Sequence, residues 1–194
     1  KNKFDLAGFA VGVVEKKMLL TKNKIKNNDI VLAVPSSGIH SNGFSLIRQI
    51  LKKNYNNFKK KIPNDIKKEF LKPTKIYVKE VNNLNKEKLI NGCANITGGG
   101  LINNIIRVIP KNYCLNIDLS KIKTTKIFKW LKNKNIQDKE MLSTFNCGVG
   151  FCLLTNKKNA KKIKKFFSKD YQPYEIGFIS KKKSLYKTFG KLKW

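Results

Sequence analysis

Residues 29–51 read DIVLAVPSSGIHSNGFSLIRQIL. The run from Ile30 to Val34 is continuously apolar, the pattern of a strand buried on both faces. It stops at Pro35, and Phe44, Ile47, Ile50 and Leu51 then recur at helical spacing. The segment therefore predicts a strand, a turn and a helix, with Ser41 or Asn42 placed to cap the helix. Between strand and helix lie Ser36, Ser37, His40, Ser41 and Asn42, uncharged hydrogen-bonding residues that include the only histidine of the chain. Imidazole titrates near neutrality, and the hydroxyls and amide both donate and accept, so the turn suits a phosphorylated ligand. A plain polar turn with one capping serine is the alternative. No second histidine or paired carboxylate lies nearby to build a nucleophilic triad.

Two further turns share the small-residue character. Thr97-Gly98-Gly99-Gly100 follows a short strand in GCANITGGG and leads into a helix that Pro110 ends. Three successive glycines cost backbone entropy, which suits a ligand cradle or a turn packed tightly against its neighbour. The pattern is neither the P-loop nor GxGxxG. FNCGVG, residues 145–150, places Asn146, Gly148 and Gly150 at the start of a strand running from Val149 to Leu154. Cys147 in that turn is either an activated nucleophile or a buried thiol. Arg107, on the helix after the glycines, is placed for an anion or for a surface ion pair.

The rest of the chain alternates strands and helices. Strands are expected at Phe9 to Val14, Met18 to Leu20 and Tyr113 to Ile117. Helices are expected around Asp65 to Leu71, over Thr124 to Lys132 and over Ala160 to Phe167. Pro73 suits a first helical turn, with Ile76, Tyr77, Val81 and Leu84 as the inner face of that helix. YEIGFIS and SLYKTFG read as a closing strand pair. The expected fold is α/β (α+β), a mixed sheet covered by helices, with residues 1–194 as a single domain.

Lysine and arginine number 42 against 12 acidic residues, a formal net charge of +30. Only Arg48 and Arg107 are arginine, and the lysines are scattered without interleaved aromatics. Nucleic-acid readout favours arginine and stacking platforms, which argues against nucleic acid as a partner, and the lysine and asparagine excess fits an A/T-rich genome. No apolar run reaches the roughly 18 residues that span a bilayer. The four cysteines, Cys93, Cys114, Cys147 and Cys152, lack metal spacing, so no metal site is expected in the chain, and they read as reduced thiols in a cytoplasmic protein. The chain opens on Lys1 and enters FDLAGFAVGVVE at once, which suggests part of a longer protein.

Taken together and in order, DLAGFAVGVVEK, PSSGIHSNGFSLIR, LKPTKIYVKEV, ITGGGLINNIIRVIP and STFNCGVG closely resemble the phosphoribosylformylglycinamidine cyclo-ligase (AIR synthetase) family of purine biosynthesis. The resemblance covers nearly the whole chain and implies the carboxy-terminal domain of a two-domain homodimeric ligase. It implies ATP and Mg²⁺, bound largely by an amino-terminal half that also carries the dimer contacts, and formylglycinamidine ribonucleotide as substrate. Residue by residue it places His40 and Asn42 as catalytic candidates. Ser36, Ser37, Ser41, Thr97, Gly98, Gly99, Gly100, Asn146 and Gly148 are the implied substrate or phosphate contacts, with Asp5 at the domain junction. One departure is Asn95, where the family has a histidine; asparagine cannot titrate. Formylglycinamidine synthetase, thiamine-phosphate kinase, selenophosphate synthetase and a hydrogenase maturation protein share the architecture, but HSNGFSLIR and PTKIYV favour the cyclo-ligase. A basic polyanion-binding module and a non-catalytic remnant are the remaining alternatives.

Overall fold

The computed structural model describes residues 7–55 and 62–194; Asp5 and the lysines at 59–61 lie outside them. Six strands form one mixed sheet in the order β2-β4-β1-β5-β3-β6. They are β1 (Ile30–Pro35), β2 (Gly92–Asn95), β3 (Tyr113–Asp118), β4 (Val149–Thr155), β5 (Tyr174–Lys181) and β6 (Tyr186–Phe189). Every pairing is antiparallel except β3 with β6. The helices are α1 (Phe44–Tyr55), α2 (Asn64–Phe70), α3 (Val78–Lys86), α4 (Gly100–Ile106), α5 (Lys126–Lys132), α6 (Asp138–Thr144) and α7 (Ala160–Lys164).

Strand β1 explains the layering. Its side chains alternate between faces: Val31 and Ala33 pack on one side with Leu101 and Ile105 of α4, while Ile30, Leu32 and Val34 pack on the other with Leu84 of α3 and Ile163 of α7. Burial on both faces is why the run carries no polar residue. A third cluster joins α1, α2, α5 and α6 through Ile47, Ile50, Ile66, Phe128, Leu131, Met141 and Phe145.

Several expectations change. Phe9 to Val14 is not a strand: Phe9 is 97% and Val13 102% exposed, and no strand among the described residues lies beside them to take the backbone hydrogen bonds. Met18 to Leu20 is not a strand either; a 3-10 turn occupies Lys16–Met18. Residues 72–77 stay non-helical and α3 begins at Val78, so Pro73 lies well ahead of the helix and Ile76 is 76% exposed instead of facing inward. The two last strands do not pair with each other. β5 is already hydrogen-bonded on both edges, to β1 and β3, so β6 takes the free edge of β3 and runs parallel to it. Helix α7 ends at Lys164, short of Phe167, and Gly43, not Ser41 or Asn42, occupies the N-cap of α1, its carbonyl accepting from the Ile47 amide. No helix among the described residues is long and apolar enough to cross a membrane.

Candidate functional site

The three glycine-bearing turns meet because of sheet order. β4 lies between β2 and β1 and runs antiparallel to both. The ends where β1 and β2 leave the sheet therefore coincide with the end where β4 enters it. Ser36 and Ile96 donate backbone hydrogen bonds to Gly148 O and Gly150 O, at 2.9 and 3.1 Å, which ties each exit to that entrance.

Asn146 organises the junction from within. It is 3% exposed. Its Oδ1 accepts from Ser36 Oγ at 3.1 Å and the Gly148 amide at 2.8 Å, and its Nδ2 donates to Gly38 O at 2.9 Å and Ile39 O at 3.2 Å. All four hydrogen-bonding positions of the amide are thus occupied by protein. Ser36 and Asn146 lie behind the turn, and Gly148 beside Lys123, whose carbonyl a Cβ at Gly148 would meet at 2.4 Å.

His40 is buried and adopts a left-handed backbone, φ 61°. Its Nε2 accepts from the Ser37 amide at 3.2 Å, an arrangement that requires the neutral ring. Burial lowers its pKa from the ordinary 6.5 in the same direction. The ring sits beside Tyr77, whose hydroxyl donates to Pro35 O at 2.8 Å, and both side chains cross over Gly150. Burial holds that phenol protonated. Ser37 Oγ donates to Pro73 O at 2.7 Å and accepts from the Lys75 amide at 3.1 Å, and Ser41 hydrogen-bonds Thr74 at 3.3 Å. The non-helical segment 72–77, where the sequence suggested a first helical turn at Pro73, is the strap that closes this side of the site.

A polar groove of about 990 Å³ runs past His40, Ser41, Asn42, Arg48, Lys72 and Thr74; none of the described residues that line it is acidic, and Lys72 is ion-paired with Glu69. Across Thr74 a smaller cavity of about 300 Å³ is lined by Lys75, Ile76, Tyr77, Asn82, Asn95 and Phe151. Asn95, the departure from the family pattern, therefore faces a cavity beside the strap.

The triple glycine approaches the first turn through Gly98, where an added Cβ would lie 3.5 Å from Asn42 Oδ1. Gly99 and Gly100 have φ of 90° and 72°. At Gly100 a Cβ would lie 1.8 Å from Leu142 O of α6, so this glycine serves close packing while Gly98 stays open to the groove side. Asn104 of α4, which sequence reasoning did not single out, holds the turn from below. Arg48, Lys72 and Thr74 were also not singled out; only folding brings them to the groove.

Cys147 is a packed thiol, not an activated one. It is fully buried, its Sγ donates to Met141 O at 3.4 Å, and burial together with the charge of Asp138 pushes its pKa up to about 12. All four cysteines are free. Among the described residues no three His, Cys, Asp or Glu side chains come together as a metal ion would require.

Comparison with known proteins adds kinship to this geometry. The family described as AIR synthase related protein, C-terminal domain, matches residues 26–188. The phosphoribosylformylglycinamidine cyclo-ligase of Lactobacillus helveticus is 41% identical over 189 residues, covering 94% of this chain and 54% of that protein. The chain thus spans about half the length of the curated relatives it matches. Among solved structures, thiamine-monophosphate kinase from Stenotrophomonas maltophilia superimposes with a TM-score of 0.65 at 12% identity, covering 93% of this chain and 56% of that one. The ATP complex of T. maritima PurL gives 0.59 at 12% identity over 94% of this chain and 26% of that one. At such identities the two structures show the same fold.

Proposed function

The chain belongs to the AIR synthase related family, as its C-terminal domain, and from that premise we propose that it forms the substrate-cleft half of a phosphoribosylformylglycinamidine cyclo-ligase. The reaction closes the imidazole ring of formylglycinamidine ribonucleotide. ATP phosphorylates the formyl oxygen, the amidine-side nitrogen attacks that carbon, and phosphate leaves with the oxygen to give aminoimidazole ribonucleotide, ADP and phosphate. The observation that carries this reading is the meeting of two family motifs, HSNG and TGGG, with Gly98 against Asn42, in a chain 41% identical to a named cyclo-ligase.

The proposed division of labour follows from the geometry. Ser41, Asn42, Thr97, Gly98 and Gly99 bind the ribonucleotide or the transferred phosphate. Arg48 provides positive charge in the groove, where a phosphate monoester is favoured, and Lys72 contributes as a donor already paired with Glu69. Ser36, Ser37, Gly100, Asn146 and Gly148 hold the turns in register. His40, kept neutral with its Nε2 accepting from the Ser37 amide, orients that amide and carries its one ring proton on Nδ1, where as a catalytic candidate it acts as a hydrogen-bond donor. Asn42 is the remaining catalytic candidate, placed to polarise a reacting oxygen.

Phosphoryl transfer is chiefly positioning and charge stabilisation, and this chain offers no metal-ligating cluster among its described residues. We assign most ATP and Mg²⁺ contacts, and the homodimer contacts, to the other half of the protein. The single domain spanned by residues 1–194 is expected to be inactive by itself. ATP use accords with the ATP complex known for the T. maritima neighbour.

The test is conversion of formylglycinamidine ribonucleotide by the full-length protein, with aminoimidazole ribonucleotide, ADP and phosphate measured together. Equal formation of all three supports the reading; ADP without the ring product opposes it.

The charge of +30 favours one second reading, a polyanion-binding surface. That reading requires binding that falls steeply with salt. The lysines are spread over α1, α2, α5 and α7 instead of one element, which favours the enzyme reading.

A further inference from the structure

Asn104 lies in the middle of α4, 5% exposed, with its side chain turned back onto the triple-glycine turn. Its Nδ2 donates to three carbonyls of that turn: Thr97 at 3.3 Å, Gly98 at 3.2 Å and Gly100 at 2.7 Å. Its Oδ1 accepts from Thr97 Oγ1 at 3.2 Å and from Arg107 Nη1 at 3.3 Å. One amide therefore fixes both ends of a segment whose glycines would otherwise sample many conformations.

The consequence follows from peptide planarity. In a trans peptide the carbonyl and the next amide hydrogen point in opposite directions. Drawing Thr97 O and Gly98 O toward Asn104 turns the Gly98 and Gly99 amide hydrogens away from it. Among the described residues neither amide has an intramolecular acceptor, whereas the Gly100 amide closes the turn onto Thr97 O. Gly98 is exposed and faces Asn42. We propose that Asn104 is a positioning residue for the reaction: it holds Gly98 and Gly99 in the one turn geometry that lets them meet the ribonucleotide together with Asn42. This inference rests on the cyclo-ligase reading for its substrate but not for its structural half.

Two variants of the full-length protein test it, Asn104→Asp and Asn104→Ser. Aspartate keeps the shape and the accepting oxygen but replaces the Nδ2 donor with a carboxylate oxygen facing three carbonyls; serine retains one donor. Hydrogen exchange at residues 97–101 is measured beside steady-state kinetics, well below each variant's melting temperature. A displaced turn predicts a KM for the ribonucleotide raised at least about tenfold for aspartate, less for serine, with kcat within about threefold. The Gly100 amide, which is hydrogen-bonded to Thr97 O in the parent, should exchange faster while β1 and β4 keep their protection. Should aspartate fail to fold, the serine variant decides by the same two readouts. An unchanged KM with turn protection intact, or a loss of protection spread evenly over the sheet, overturns the inference. If the parent protein lacks cyclo-ligase activity, the functional reading fails, and exchange at the turn still decides whether Asn104 holds it.

Discussion

Asn146 and Ser36 lie 110 positions apart in sequence and share a hydrogen bond of 3.1 Å at the point where β4 enters the sheet and β1 leaves it. The same carboxamide binds Gly38 O, Ile39 O and the Gly148 amide, so one buried side chain fastens two turns of the candidate site.

Removing it should be costly. Asn146→Ala strands several buried groups, each worth about 1–3 kcal/mol when unsatisfied. We expect a loss of about 3 kcal/mol or more by urea unfolding, against about 1 kcal/mol for Ser36→Ala, which deletes one bond. Similar losses for the two variants would contradict the clamp.

The three adjacent glycines should respond unequally to alanine. Gly98→Ala meets nothing nearer than 3.5 Å and needs no positive φ, so its stability should stay within about 0.5 kcal/mol of the parent. Gly100→Ala places a methyl 1.8 Å from Leu142 O at φ 72°, and should cost more than about 3 kcal/mol or prevent folding. Thermal melts of the two variants decide the matter.

Acid should weaken the fold through His40. Burial depresses its folded pKa below the ordinary 6.5, so the unfolded chain binds more protons around and below that value. The stabilisation is complete above about pH 6.5 and is lost as pH falls through the folded pKa. His40→Asn tolerates the left-handed backbone and does not titrate. The fall in unfolding free energy between pH 7.5 and 5 should therefore be smaller in the variant; equal falls would remove His40 from the account.

How much of this was legible in the sequence depends on the kind of contact. β1 was plain because burial on both faces forces an unbroken apolar run, and α1 because its inner residues keep helical spacing. The three small-residue turns were legible as candidates, and their meeting follows from strand order, which composition does not encode. Phe9 to Val14 has a strand's residues but no strand beside it among the described residues, and pairing is never a local property. Pro73 is compatible with a helix start, yet Ser37 Oγ binds its carbonyl and the Lys75 amide, tying the strap to the first turn as a non-helical segment. Asn104 gave no signal, because an asparagine within LINNII on a helix looks like any surface amide until the turn folds back over it.

The cysteines offer an independent check on burial. Cys147, with its pKa pushed up to about 12, and the fully buried Cys152 should resist alkylation at pH 8, and Cys93, which is half-buried, should react first. Mass spectrometry of the labelled native protein reads the order, and early modification of Cys147 would revive a nucleophilic role for it.

The most direct measurement of the central claim is the binding footprint of formylglycinamidine ribonucleotide on the full-length protein, read by hydrogen exchange at residues 36–45 and 96–101. The account predicts simultaneous protection of both turns, lost in Asn42→Ala, with the lysine-bearing helices α5 and α7 unchanged. Protection confined to those helices, or absent from both turns, would contradict it.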